Sequence, residues 1–153
     1  MGTLTQEQNL IVAFIDICGF AKFTESMSDE DTFQLIFEFA ERTGESLQSA
    51  NGRVIKFIGD AALISFPDDD PATTVKALRK LKTDIDDWLE SAGHSDGLAV
   101  RAHIGPVISG MIGTKDDKQF DIIGKTVNQT AMLKGGEFVL SEELQAASSA
   151  GTR

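Results

Sequence analysis

The chain holds one cysteine, Cys18, among its 153 residues. No internal disulfide can form, and a single thiol gives no basis for a cysteine zinc site. Long hydrophobic runs are missing too: no stretch approaches the roughly 20 apolar residues that a membrane span needs. The opening MGTLTQEQ has no charged segment followed by an apolar one, which argues against a secretory signal. Met1-Gly2 begins a myristoylation motif, but Gln6 stands where Ser or Thr is required. Positive charge is the third scarcity. With 14 Lys and Arg against 24 Asp and Glu, the net charge is −10. So acidic a chain has few cations with which to neutralise nucleic-acid phosphates, and no nucleic-acid partner is expected. A nucleotide is still within reach if a metal ion supplies the missing charge. Repeats, low-complexity tracts and linkers are absent. Hydrophobic residues make up 41 % and charged ones 25 %, as in ordinary globular proteins. Residues 1–153 therefore read as one cytoplasmic domain.

What is present starts at Leu10–Phe20, LIVAFIDICGF. Leu10 to Ile15 form an unbroken apolar run that stops abruptly at Asp16, as in a buried strand whose end points a carboxylate into a cleft. Cys18-Gly19-Phe20 follow at once, and Gly19 lets backbone N–H groups approach a bound anion. Strand, carboxylate and glycine turn in that order suit a cation held against a phosphate.

Ser28-Asp29-Glu30-Asp31 reads as a helix start. Phe33, Ile36, Phe37, Ala40 and Leu47 form a helical stripe, which Leu35 and Phe39 widen. That helix is expected to lie under a sheet, and its second apolar side also suits a subunit interface. Asn51-Gly52 marks a turn. Arg53–Ile58 and Ala61–Phe66 read as strands joined by Gly59-Asp60, hairpin-turn chemistry that by itself accounts for Asp60. Pro67–Pro71 is a solvated break, and Ala72–Ser91 an amphipathic helix. Leu98–Ile104 and Val107–Ile112 read as two strands punctuated by Gly105-Pro106. Thr114–Lys118 is a hairpin tip, Gln119–Ile123 the returning strand with Asp121, and Val127–Leu133 a short helix. Glu137–Leu140 is a brief strand, Ser141 caps a helix, and 146–153 looks frayed. The order β-α-β-β-α-β with extra strands at the C-terminal end predicts an α+β sandwich of the ferredoxin-like kind. His103 reads as a structural histidine, and Cys18 as an inert thiol at a strand end.

Asp16 and Asp60 would meet if the first strand lies beside the Gly59-Asp60 hairpin. Two such carboxylates repel unless a divalent cation lies between them. Mg²⁺ or Mn²⁺ with a nucleoside triphosphate suits such a pair in an acidic protein.

Four motifs, FIDICGF (Phe14–Phe20), GRVIKFIGDAALISF (Gly52–Phe66), HIGPVISGMIG (His103–Gly113) and FDIIGKTVN (Phe120–Asn128), together resemble the class III nucleotidyl cyclase catalytic domain. The resemblance runs in register from about Leu10 to Leu144. It implies the cyclase sandwich fold and a head-to-tail dimer with active sites shared across the interface, either a homodimer or a heterodimer with another cyclase domain. It further implies two ions, Mg²⁺ or Mn²⁺, bound by Asp16 and Asp60 with the Ile17 carbonyl, and phosphates held by the amides of Cys18, Gly19 and Phe20. Lys56 and Asp121 match the pair that reads the purine edge, and Asn128 the asparagine that orients the ribose. A carboxylate accepts from the exocyclic amine of adenine and an ammonium donates to a ring nitrogen. The family's guanine readers look like Glu with Cys there, so the resemblance implies ATP, converted to 3′,5′-cyclic AMP and pyrophosphate.

Two departures qualify it. The family's transition-state arginine, four residues after the asparagine, is here Met132, which cannot donate to the phosphate. Lys134 lies two residues on, roughly 200° around a continued helix, and Lys125 is the other local cation. The hairpin bearing a phosphate-gripping lysine, which the family carries after a SEEL-like helix, has no counterpart before Arg153. A slow cyclase, a nucleotide-binding or dimerisation module without turnover, and one half of a heterodimeric cyclase all stay open. A diguanylate cyclase is ranked low, because Ile58-Gly59-Asp60-Ala61-Ala62 lacks the Gly-Gly-Asp/Glu-Glu-Phe signature.

Overall fold

The structure, a computed structural model, describes residues 4–150. Strand β1 (Thr5–Ile17) is the middle of the sheet. It pairs antiparallel with β3 (Ala61–Pro67) on one side and β4 (Leu98–Gly113) on the other. With β2 (Arg53–Ile58) and β5 (Lys118–Ile123) outside them, the order is β2-β3-β1-β4-β5. A short β6 (Phe138–Leu140) adds parallel to β4 at Val100–Ala102. The unbroken apolar run of β1 is explained by cover on both faces. Ile11, Ala13, Ile15 and Ile17 enter the main core, and Val12 with Leu10 and Phe14 enters a second, smaller one with Leu63, Val107 and Ile122. The ferredoxin-like βαββαβ order and the later strands are as the sequence predicts.

The helices cover the main core. The short α1 (Phe20–Thr24) precedes α2 (Asp29–Leu47), whose cap Ser28 accepts from the Asp31 N–H. The buried stripe of α2 is Leu35, Phe39, Thr43 and Leu47, whereas Phe33 and Phe37 are 71 % and 50 % exposed. The expected Phe33–Phe37–Ala40 stripe is thus rotated. A helix apolar on two sides has two candidate faces, and periodicity alone does not rank them. Helix α3 (Pro71–Ser91) begins one residue before the predicted start, with Asp70 accepting from the Thr73 N–H and Pro71 in the first turn, a position that tolerates its missing N–H. Hydrogen bonds from Thr73 hold the Asp70 carboxyl below its ordinary range. Helix α4 (Lys125–Met132) and helix α5 (Glu142–Ala150), whose first turn donates to Ser141 Oγ, complete the chain. Residues 146–150, expected to fray, continue α5; 151–153 lie outside the described residues.

The two strands expected at Leu98–Ile104 and Val107–Ile112 are one, β4. Gly105 belongs inside it because a side chain there would stand 2.5 Å from Thr126 Oγ1. Pro106 falls between the β6 and β5 pairings, where the outer side of β4 behaves as an edge and tolerates a proline. The sheet also curls. Its outermost strands meet over the second core, with the Arg53 guanidinium 3.7 Å from the Phe120 ring centroid. No helix among the described residues is long and apolar enough to cross a membrane.

Candidate active site

Strand β1 delivers Asp16 opposite Ala61, and the turn Gly59-Asp60 joins Ile58 to Ala61. Gly59 makes that turn at φ +58, and the Ile17 N–H donates to the Asp60 carbonyl at 3.2 Å. The hairpin tip is thereby fixed to the end of β1, and the two aspartates meet as the sequence predicts. The Asp60 carboxyl is pushed above its ordinary range, first by burial and then by the charge of Asp16, against hydrogen bonds from the amides of Asp60 and Ile17. Like charges in that position fit a divalent cation. The donors are hard oxygens suited to Mg²⁺ or Mn²⁺. Among the described residues no third His, Cys, Asp or Glu side chain completes a cluster. The remaining ligands would be backbone, water and nucleotide oxygens, as is usual for Mg²⁺.

Gly19 follows at φ +65, and a side chain there would stand 2.7 Å from Asp96 Oδ2. The Cys18 N–H donates to the Gly97 carbonyl at 2.9 Å, and His94 Nε2 donates to the Cys18 carbonyl at 2.5 Å. His94 is buried and stacks on Phe23, ring centroids 4.3 Å apart. The Phe20 ring is partly buried and packs on the main core. Burial, then the charges of Glu137 and Asp16, push the Cys18 thiol up. That shift disfavours the thiolate, the reactive form. His94 was not singled out in the sequence; its signal, a histidine after the Gly93 turn, is too common to read.

At the other end, Lys56 Nζ lies 3.0 Å from Asp121 Oδ2, and Asp121 Oδ1 accepts from the Ile122 N–H at 2.8 Å. Both residues line a cleft of about 310 Å³ with Ile112, Thr114 and Phe120. A cleft of about 380 Å³ between α2 and α3, lined by Arg42, Asp84 and Trp88 among others, contains none of the candidate residues. Asn128 and Met132 share an exposed face of α4, one turn apart, and Met132 is 73 % exposed. Lys125 stands on the same stripe at the start of the helix. The helix ends at Met132 and Leu133 is extended at ψ 139, so Lys134 lies beyond the helix rather than 200° around it. No hydrogen bond or ion pair among the described residues joins the Asp16–Asp60 end to the Lys56–Asp121 pair. His103 is structural as expected: Nε2 donates to Gln129 Oε1 (3.1 Å), and Nδ1 accepts from Ser141 Oγ (2.7 Å).

One charged neighbour escaped sequence reasoning. Arg101 on β4 lies 3.8 Å from Asp16 Oδ1 through Nη2, and its Nη1 donates to the Ala131 carbonyl at 2.5 Å. Its signal was the one Arg or Lys within the mostly apolar LAVRAHIG; the register Phe14↔Arg101 then sets it on the Asp16 face.

The profile of the adenylate and guanylate cyclase catalytic domain matches residues 3–137. An uncharacterised Mycobacterium bovis protein is 30 % identical over 131 residues, covering 84 % of this chain and 24 % of that protein. The germination-specific adenylate cyclase of Dictyostelium discoideum is 31 % identical over 136 residues, covering 84 % of this chain and 16 % of the relative. The chain thus spans a quarter or less of the length of these relatives. Among solved structures, the adenylyl cyclase CyaB from P. aeruginosa superposes with TM-score 0.83 at 23 % identity, covering 96 % of this chain and 83 % of that one.

Proposed function

Because the chain belongs to the adenylate and guanylate cyclase catalytic domain family, we propose that it converts ATP to 3′,5′-cyclic AMP and pyrophosphate, slowly, in the cytoplasm. The observation that carries this is the meeting of Asp16 and Asp60 at the end of β1. In the reaction the ribose 3′-oxygen attacks the α-phosphorus, the hydroxyl proton leaves, and the bond to pyrophosphate breaks. Bound Mg²⁺ or Mn²⁺ would supply phosphate neutralisation and a lower pKa for the 3′-hydroxyl. The chain's own groups do the rest. Asp16, Asp60 and the Ile17 carbonyl would hold the ions, and the Cys18-Gly19-Phe20 amides would receive phosphate oxygens. Asn128 orients the ribose, which matters because nucleophile and electrophile belong to one molecule. The Lys56–Asp121 pair favours adenine over guanine, Asp121 accepting from the exocyclic amine and Lys56 donating to a ring nitrogen. With Met132 contributing no donor, the rate is expected about 10²–10³ below that of a site with an arginine there.

A head-to-tail homodimer, each end serving a different shared site, suits two ends that no hydrogen bond or ion pair among the described residues joins within one protomer; a partner cyclase domain in a heterodimer would serve equally. Incubation with ATP and Mn²⁺ should yield cyclic AMP, falling to background in Asp16→Ala. Mixing Asp16→Ala with Lys56→Ala should restore about a quarter of wild-type activity, since half the dimers are then mixed and each has one intact site. The second reading, a nucleotide-binding module without turnover, is favoured by Met132. Metal-dependent ATP binding with no product at high protein concentration would establish it.

A further inference from the structure

We infer that His94 is a positioning residue of this site: from the turn after α3 it holds the Cys18–Gly19 peptide so that the Gly19 N–H faces the nucleotide phosphates, an inference that rests on the nucleotide reading above. The chain leaves α3 through Gly93 at φ +95, and the His94 N–H donates to the Leu89 carbonyl at 2.9 Å. The ring is 6 % exposed and stacks on Phe23 with an interplanar angle of 22°. Backbone and ring are thus both held. Nε2 lies 2.5 Å from the Cys18 carbonyl oxygen, and since a carbonyl only accepts, Nε2 carries the hydrogen. The Cys18 C=O and the Gly19 N–H belong to one planar trans peptide and point in opposite directions. Drawing the oxygen toward the buried ring therefore turns the Gly19 N–H away from it, to the exposed side of the loop.

The loop needs such a hold. Gly19 sits at φ +65, and glycine is about as stable on the other side of zero. An unheld Cys18–Gly19 peptide could turn over. The phosphates would then face a carbonyl oxygen, amid the carboxylates of Asp16, Asp60 and Asp96, in place of an N–H. Turning over also strands the His94 Nε2–H, and a buried donor without a partner is costly. The Cys18 N–H already donates to the Gly97 carbonyl at 2.9 Å, so the cradle draws chiefly on Gly19 and Phe20, whose N–H groups have no partner among the described residues. Phe23 links the two halves of the arrangement. Its ring stacks on His94, and its N–H donates to the Gly19 carbonyl at 3.0 Å, which holds the next peptide as well.

Calorimetry with ATP and Ca²⁺, and ligand-observed NMR with adenosine, test this on wild type, His94→Phe and His94→Gln. Phenylalanine keeps a ring against Phe23 without a donor, whereas the glutamine amide nitrogen reaches where Nε2 stood. ATP affinity should fall about tenfold in His94→Phe, with adenosine affinity unchanged. His94→Gln should regain most of the loss, even where its Tm stays below that of wild type. Unchanged ATP affinity in His94→Phe overturns the inference. So does equal weakening of ATP and adenosine, or a loss in His94→Gln as large as in His94→Phe, either of which marks His94 as packing alone. If His94→Phe does not fold, His94→Asn takes its place, its amide too short to reach Cys18, and ATP affinity equal to that of His94→Gln then overturns the inference. Wild type that binds no ATP at all overturns the nucleotide reading instead, and this inference with it.

Discussion

Asp60 shows how a single side chain ties stability to ligand. Its carboxyl is raised by burial and by Asp16, so the metal-free folded chain holds that proton more tightly than the unfolded chain does. The contribution is full below the ordinary aspartate value of about 4 and is lost as pH climbs through the raised value. Asp60→Asn should therefore flatten the pH dependence of stability from about pH 4 upward and raise the metal-free Tm at neutral pH. The same variant should lose the rise in Tm that Mn²⁺ gives the wild type through binding the folded state. Thermal unfolding with and without Mn²⁺, across pH, reads both effects. Met132 makes the opposite case. Because Met132 is mostly exposed at the end of α4, Met132→Arg should cost little stability and raise cyclic AMP formation about tenfold or more.

Among the elements, β4 is where local signals misled. Gly105-Pro106 reads as a break, yet the strand runs through it because the glycine makes room for Thr126. Thr126 is buried and β-branched, hence stiff. Gly105→Ala should therefore destabilise the fold by about 1–3 kcal/mol in urea unfolding. Elements whose signal is chemical were legible: the Ser28 and Ser141 caps, the Gly59-Asp60 turn and the apolar run of β1 all appear where the residues demand them. The meeting of Asp16 and Asp60 was legible for the same reason, as a strand end beside a hairpin tip. What was not legible depends on neighbours distant in sequence. The choice of buried face on α2 is made by the sheet, and the reach of Arg101 to Asp16 and Ala131 by the β1–β4 register. The end of α4 at Met132 was missed because Leu133 has no strong breaker beside it, the glycines coming at Gly135-Gly136.

At the scale of the whole molecule, apolar side chains remain on the outside. Ile108, Met111, Ile112 and Ile123, on the paired β4 and β5, are between 42 % and 55 % exposed. A monomer rarely leaves such a patch uncovered, and a second copy is the expected cover. Ile123→Lys should shift a sizing column toward monomer and abolish cyclic AMP formation together, while leaving the far-ultraviolet dichroism unchanged.

The Lys56–Asp121 ion pair has a mechanical corollary. Lysine and aspartate sit on opposite margins of the sheet, with three strands between them in the ladder. On the function proposed above, selectivity for adenine is a property of curvature: were the sheet to flatten, its rims would part and base discrimination would vanish. A purine bridging the two rims would hold the bend in place. Its arrival should slow amide hydrogen exchange along β2 and β5 at once, two segments that share no backbone hydrogen bond.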